Sequence, residues 1–187
     1  MKEQILELAV RQMKRGGYEN LNFADIAAEL GTSRANLHHH FKNKEGLGLA
    51  ATETYIQEQR EALDRIIAEN QEDIFGLLTA IENHLAEVIV EAAIGDGCIM
   101  SQLLDDREAP AHLRQLVLDR LQEEEKAIEA EISKAKKNGS VKHPDSAKVL
   151  SWRIMSAMLG VSQMAVLDPS RTRVSQGIKG VLVALVR

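Results

Sequence analysis

The side chains best suited to chemistry lie between residues 22 and 44. Asn22 and Ser33 stand before runs of helix-forming residues, and Arg34, Ala35, Asn36, His38, His39 and Lys44 follow. None of these is a nucleophile backed by a base. What the set holds is hydrogen-bond donors and acceptors of the kind that read nucleic acid. Arg34 can pair with the guanine edge and Asn36 with adenine. A residue as small as Ala35 lets a backbone approach the groove or a thymine methyl. Lys44 offers a phosphate contact, which fixes register while base contacts set sequence. The triplet His38-His39-His40 invites a metal reading. Consecutive helical positions point about 100° apart, so three rings cannot converge on one ion. They serve better as neutral donors, with His39 aimed at a phosphate and His40 packed inside.

Two short helices are needed to present these groups. Asn22 is the N-cap of the first, over about Phe23–Leu30, with Asp25 as a short-armed capping-box partner. Ile26, Ala27 and Leu30 form its buried face, and Gly31 is the expected left-handed stop. Ser33 caps the second helix, over about Arg34–Phe41. Its inward positions Leu37 and Phe41 turn Arg34, Ala35, Asn36, His38 and His39 outward. Asn43 caps a third helix that begins at Lys44, where free N–H groups favour a phosphate. Asn22 can do the same at the start of its helix. A preceding amphipathic helix, about Lys2–Arg15, is stopped by Gly16-Gly17. The pair over 23–30 and 34–41, the second of which enters a major groove, makes with this preceding helix a helix-turn-helix unit.

The string Phe23-Ala-Asp-Ile-Ala-Ala-Glu-Leu-Gly-Thr-Ser-Arg-Ala-Asn-Leu-His-His-His-Phe-Lys-Asn-Lys-Glu-Gly-Leu47 resembles the DNA-binding domain of the TetR family of transcriptional regulators. The resemblance covers residues about 4–50, with Ile-Ala, Gly-x-Ser, Leu-x-His-x-Phe and Lys-Glu in register. It implies a helix-turn-helix domain over residues 1–47 and a ligand-binding and dimerisation domain over 48–187. It also implies a homodimer on a palindromic double-stranded DNA operator, and a repressor released by a small-molecule inducer. Three positions depart from the family pattern. His38 stands where a phosphate-touching tyrosine is usual, Asn22 where a Ser or Thr is common, and Thr32 where an apolar residue is usual.

The rest of the chain reads as helix. Of 187 residues, 44% are apolar and 27% charged, the balance of a globular protein with a real core. Three prolines, Pro110, Pro144 and Pro169, sit at helix boundaries, and β-branched alternation is nearly absent. We expect an all-α fold of about nine helices. The later ones run over about 44–70, 73–94, 98–106, 110–137, 145–167 and from Pro169-Ser170 to the end, with a break at Ile94-Gly95-Asp96-Gly97. The long helix from Lys44 joins the two parts as the one continuous lever. The net charge is −5, yet residues 1–48 carry seven Lys/Arg against six Asp/Glu, so the acidic excess lies in the body. That fits DNA contact at one end only. The single cysteine excludes an intrachain disulfide, and no apolar run approaches the roughly 18 residues of a membrane span. A cytoplasmic protein with no membrane partner is the expectation. With no Ser/His/Asp set, metal-ligand spacing or phosphate-binding glycine loop, no enzyme activity, metal or cofactor is expected.

The body offers candidates for sensing and pairing. Tyr55, Gln59, His84, Met100 and Met155 mix apolar surface with a few polar groups, which suits a small, mostly apolar or aromatic ligand. His84 can equally be a histidine satisfied by a neighbour. Ile154, Ala157, Met158, Val161, Ala165, Ile178, Val181, Leu182 and Leu185 make the last two helices too apolar for one-sided packing. An intersubunit four-helix bundle, which resembles the family arrangement, is expected from them. Cys98 follows Gly97 at a helix start, where a thiol can become reactive or can simply fill space. A Gly-Cys pair there also looks like a feature of one TetR subgroup, some of whose members sense electrophiles or oxidants. Control by redox chemistry at Cys98, or by a protein partner, is the alternative to a reversible ligand.

Overall fold

A computed structural model of the chain describes residues 1–93, 98–164 and 176–187. Its elements are all helical: α1 (Lys2–Gly16), α2 (Phe23–Glu29), α3 (Arg34–Phe41), α4 (Lys44–Glu69), α5 (Ile74–Ala93), α6 (Ile99–Asp105), α7 (Ala111–Lys137), α8 (Ala147–Met164) and α9 (Val181–Ala184). No strand occurs among the described residues. Nor is any described helix long and apolar enough to cross a membrane.

The chain divides into two compact units, Met1–Gln59 with Gly95–Asp119 and Arg60–Ile94 with Arg120–Arg187. The boundary expected between residues 47 and 48 falls inside α4, whose first part belongs to the first unit. The reason is burial: Leu47, Ala51 and Tyr55 of α4, Ile99 and Leu103 of α6, and Leu113 and Val117 of α7 are core residues of that unit. They join Ile5, Ala9 and Met13 of α1, spaced to share one helix face. Ile26 and Ala27 of α2 and Leu37 and Phe41 of α3 complete the core. A polar tie adds to it. Asp106, just after α6, accepts a hydrogen bond from the Tyr18 N–H at 2.8 Å. Its other oxygen accepts from the N–H groups of Glu108 and Ala109. One carboxylate thus shapes the α6–α7 connection and grips the turn after α1.

The second unit packs around Leu63 of α4, Ile74, Leu77, Leu78 and Ile81 of α5, Ile128 and Ile132 of α7, Leu150 and Ile154 of α8, and Leu182 of α9. The C-terminus differs from expectation. Residues 176–178 are helical, a turn follows at 179–180, and α9 is only four residues long. Gly180 has φ 78°, a left-handed conformation that favours glycine and ends the run. Buried Glu82 of α5 fixes the break: its carboxylate accepts from the N–H of Gly180 at 2.9 Å and of Leu182 at 2.6 Å. Free N–H groups at a helix start need such a partner when water is excluded. The expected break at Ile94–Gly97, the end of the 145–167 helix beyond Met164, its residue Ala165 and the start at Pro169-Ser170 lie outside the described residues.

Candidate nucleic-acid interface

The α2–α3 pair is fixed by side-chain caps. Asn22 is extended, and its Oδ1 accepts from the Ala24 N–H at 2.7 Å. The Asn22 N–H donates in turn to Gln12 Oε1 of α1 at 2.8 Å. The turn closes when the Thr32 N–H donates to the Ala27 carbonyl at 2.9 Å. Ser33 Oγ then accepts from the Asn36 N–H at 3.3 Å. Each cap satisfies an N–H that the helix itself leaves open.

With Leu37 and Phe41 turned inward, α3 leaves Arg34, Ala35, His38 and His39 exposed and Asn36 half-buried. Arg34 makes no hydrogen bond or ion pair among the described residues. Asn36 Nδ2 donates to Thr32 Oγ1 at 3.0 Å, leaving its second amide hydrogen and Oδ1 for another partner. His38 Nδ1 lies 2.7 Å from the Lys42 carbonyl oxygen. Its ring packs edge-on against Phe23 of α2, with centroids 4.6 Å apart. His40 is exposed, against the expectation that it packs inside. It sits one helical step from Phe41, and that rotation carries it off the buried stripe; its ring touches those of His39 and Phe41 at the surface.

Lys44 opens α4. Its Nζ donates to the Glu19 carbonyl at 2.9 Å and lies 4.9 Å from the Tyr18 ring centroid. The ammonium thus ties the turn before α2 to the start of α4, with two donors left over. Burial, with the nearby carboxylates of Glu45 and Asp106, pushes the Tyr18 phenol above its usual range, so it stays a protonated hydroxyl. Asn43 Oδ1 accepts from the Gly46 N–H at 2.8 Å. A Cβ on Gly46 would lie 2.3 Å from the Phe41 carbonyl oxygen, so only glycine lets α3 and α4 approach this closely. Gln12, Thr32, Lys42 and Phe23 therefore take part in the site without having been expected there. Their signals are weak in sequence, because each acts through a partner remote in the chain or through its backbone.

The other expected residues disperse. Tyr55, Gln59 and Met100 belong to the first unit, and His84 and Met155 to the second. Tyr55 is 1% exposed, with its hydroxyl 3.4 Å from Cys98 Sγ and Lys14 Nζ 5.3 Å from its ring centroid. Met155 is packed in the apolar cluster of the second unit. None of the five lines a cavity of about 650 Å³ in that unit, with Ile67, Ile74, Leu77 and Ala135 as its apolar wall and Glu72 and Lys137 among its charged residues.

Ile154, Ile178 and Leu182, expected at a subunit contact, are buried within the chain itself. That core already uses them, so they are not available to a partner. Ala157, Met158 and Leu185 are half-buried against the same cluster, Val161 packs by Ile89, and Val181 is half-buried. The large apolar side chains that α8 leaves outward are Val149, Trp152 at 65% exposure and Met164, with Ser156 and Gly160 between them on one stripe; Lys148, Arg153 and Gln163 are exposed as well.

Residues 5–51 match the family described as bacterial regulatory proteins, tetR family. An uncharacterized HTH-type transcriptional regulator of Bacillus subtilis strain 168, YerO, is 33% identical over 75 residues, which are 40% of this chain. The match spans about a quarter of that relative's length, 25%. Among solved structures, a TetR-family transcriptional regulator from Agrobacterium tumefaciens superposes with a TM-score of 0.88 at 20% identity, over 100% of this chain and 97% of that one. A cysteine mutant of the TetR-family regulator CifR complexed with 26-bp double-strand operator DNA superposes with a TM-score of 0.83 at 16% identity, over 98% of this chain and 96% of that one.

Proposed function

We propose that the chain is a DNA-binding transcriptional regulator of the TetR family, a repressor released from a palindromic operator by a small molecule; the family match over residues 5–51 supports this reading. The observation that carries the DNA contact is the outward row of α3. Exposed Arg34 and Ala35 and half-buried Asn36 face base edges, while His38, His39, Lys44 and the capped starts at Asn22 and Ser33 meet the backbone. The protein works as a homodimer in the cytoplasm and performs no catalysis. The outward stripe of Val149, Trp152 and Met164 supports pairing, since apolar surface of this kind is covered in a stable assembly. Small Ser156 and Gly160 between the large residues let a partner helix come close.

The inducer is small and mostly apolar or aromatic. Its proposed contacts are Tyr55, Gln59 and Met100, all of the first unit. Ligand and operator must oppose each other reciprocally, with a coupling of about 1–3 kcal/mol. Calorimetric titration of an identified ligand, with and without operator, tests this. Equal ligand affinity in both states would show binding without switching. A second reading rests on the Tyr55 hydroxyl 3.4 Å from Cys98 Sγ. If that thiol is the sensor, mild oxidant releases DNA from the wild type and spares Cys98→Ser. Unchanged DNA binding with Cys98 modified would end this reading, and control by a protein partner would then be the next to examine.

A further inference from the structure

The recognition helix carries a histidine whose hydrogen bond decides what it can offer to DNA. His38 Nδ1 lies 2.7 Å from the Lys42 carbonyl oxygen. A carbonyl oxygen only accepts, so Nδ1 must carry the hydrogen. The neutral ring is then protonated at Nδ1 and bare at Nε2. The pairing is well fixed. The Lys42 N–H donates back to the His38 carbonyl at 2.8 Å, and Lys42 itself has φ 62° at the end of α3. Phe23 holds the ring from the side. Nε2 makes no hydrogen bond among the described residues, on a side chain exposed on the outer face one turn from Arg34.

A bare Nε2 lone pair repels a phosphate oxygen. Adding a proton turns the same atom into a charged donor and leaves the Lys42 bond intact, because both nitrogens then donate. From α2 the group that faces the ring is the uncharged Phe23, and the acid nearest to it in sequence, Asp25, is exposed. On α3 the charged neighbours are Arg34 one turn before and Lys42 one turn after, both cations. No carboxylate forms an ion pair with His38 among the described residues, so a DNA phosphate is the anion that would hold an imidazolium there.

We propose that His38 contacts the DNA backbone only in its protonated form, so that each subunit takes up a proton from solvent on binding and operator affinity rises as the pH falls. This rests on the DNA-binding reading above and deepens it. Since linkage equates proton uptake with the slope of affinity against pH, the limit is about tenfold per pH unit for each subunit engaged.

The test is fluorescence anisotropy of a labelled operator duplex, selected from a random pool, at fixed ionic strength and several values between about pH 6 and pH 8. The wild type is expected to bind more tightly at the acid end. His38→Gln and His38→Tyr, which keep a neutral donor at all these values, are expected to flatten the profile, and His143→Gln, a substitution in the second unit, to keep it. Thermal unfolding of each variant checks that it folds. A flat wild-type profile, or a slope that survives in both His38 variants, overturns the proposal. Absence of DNA binding at every pH would instead remove the DNA-binding reading on which it stands.

Discussion

Base-reading and backbone-holding side chains fail differently when they are removed. Arg34 is exposed with no partner among the described residues, so Arg34→Ala costs the fold little. It should relax sequence preference at one base pair by about 1–3 kcal/mol, measured as the change in a selected-site profile. Lys44 contributes charge and also a strut, through the Glu19 carbonyl and the Tyr18 ring. Lys44→Ala should weaken binding to all sequences alike and shallow the salt slope by about one unit. Unchanged affinity and slope would mean that α4 does not begin on the backbone. These donors were legible because type and spacing on a short helix nearly determine which side faces out. Gln12 and Thr32 were not, because their roles appear only once a partner from another turn or helix is in place. His40 differs for a related reason: one helical step from buried Phe41 carries its ring off the inward face, although the two rings still meet.

The helix starts were the most legible elements. Asn22, Ser33 and Asn43 each cap the helix they precede, since capping chemistry is local to a few residues. Ser33→Ala should cost about 1 kcal/mol of stability, with DNA affinity falling in parallel. The C-terminal segment was legible only in part. Its apolar pattern reads as one helix, but the carboxylate of Glu82, about a hundred residues away, accepts the N–H groups at the break. Helix α7 holds another buried acid. Glu124 lies 3.8 Å from Arg120 of the same helix, and both are buried. Burial pushes the Glu124 carboxyl up, and Arg120 only partly opposes this. The folded chain therefore holds this proton more tightly than the unfolded chain. The stability tied to it is present at low pH and is lost as pH rises through the raised range. Glu124→Gln removes that dependence, so its stability relative to wild type should improve as pH rises from acid toward neutral. Denaturant melts at a series of pH values measure this, and a relative decline with pH would mean that Arg120 governs the pair.

At the scale of the molecule, the all-α class followed from composition and periodicity, whereas the division into units did not. Helix α4 is one continuous helix whose halves belong to different units, and no local signal marks that change. The apolar excess on the last helices is real, but the chain's own core takes Ile154, Ile178 and Leu182, and the outward stripe is centred on Trp152. Trp152→Glu should leave the isolated fold intact, since that side chain is 65% exposed. It should shift the protein toward monomer in sedimentation equilibrium and weaken operator binding. The central claim is that two copies of this chain read an inverted repeat through α3. Selection of bound duplexes from a random pool, followed by titration of the stoichiometry on the winning sequence, tests it most directly. The account predicts an imperfect palindrome with half-site centres one helical turn apart, roughly 34–36 Å, bound by paired chains. Enrichment of no sequence, or of a motif without two-fold symmetry bound by one chain, would contradict it.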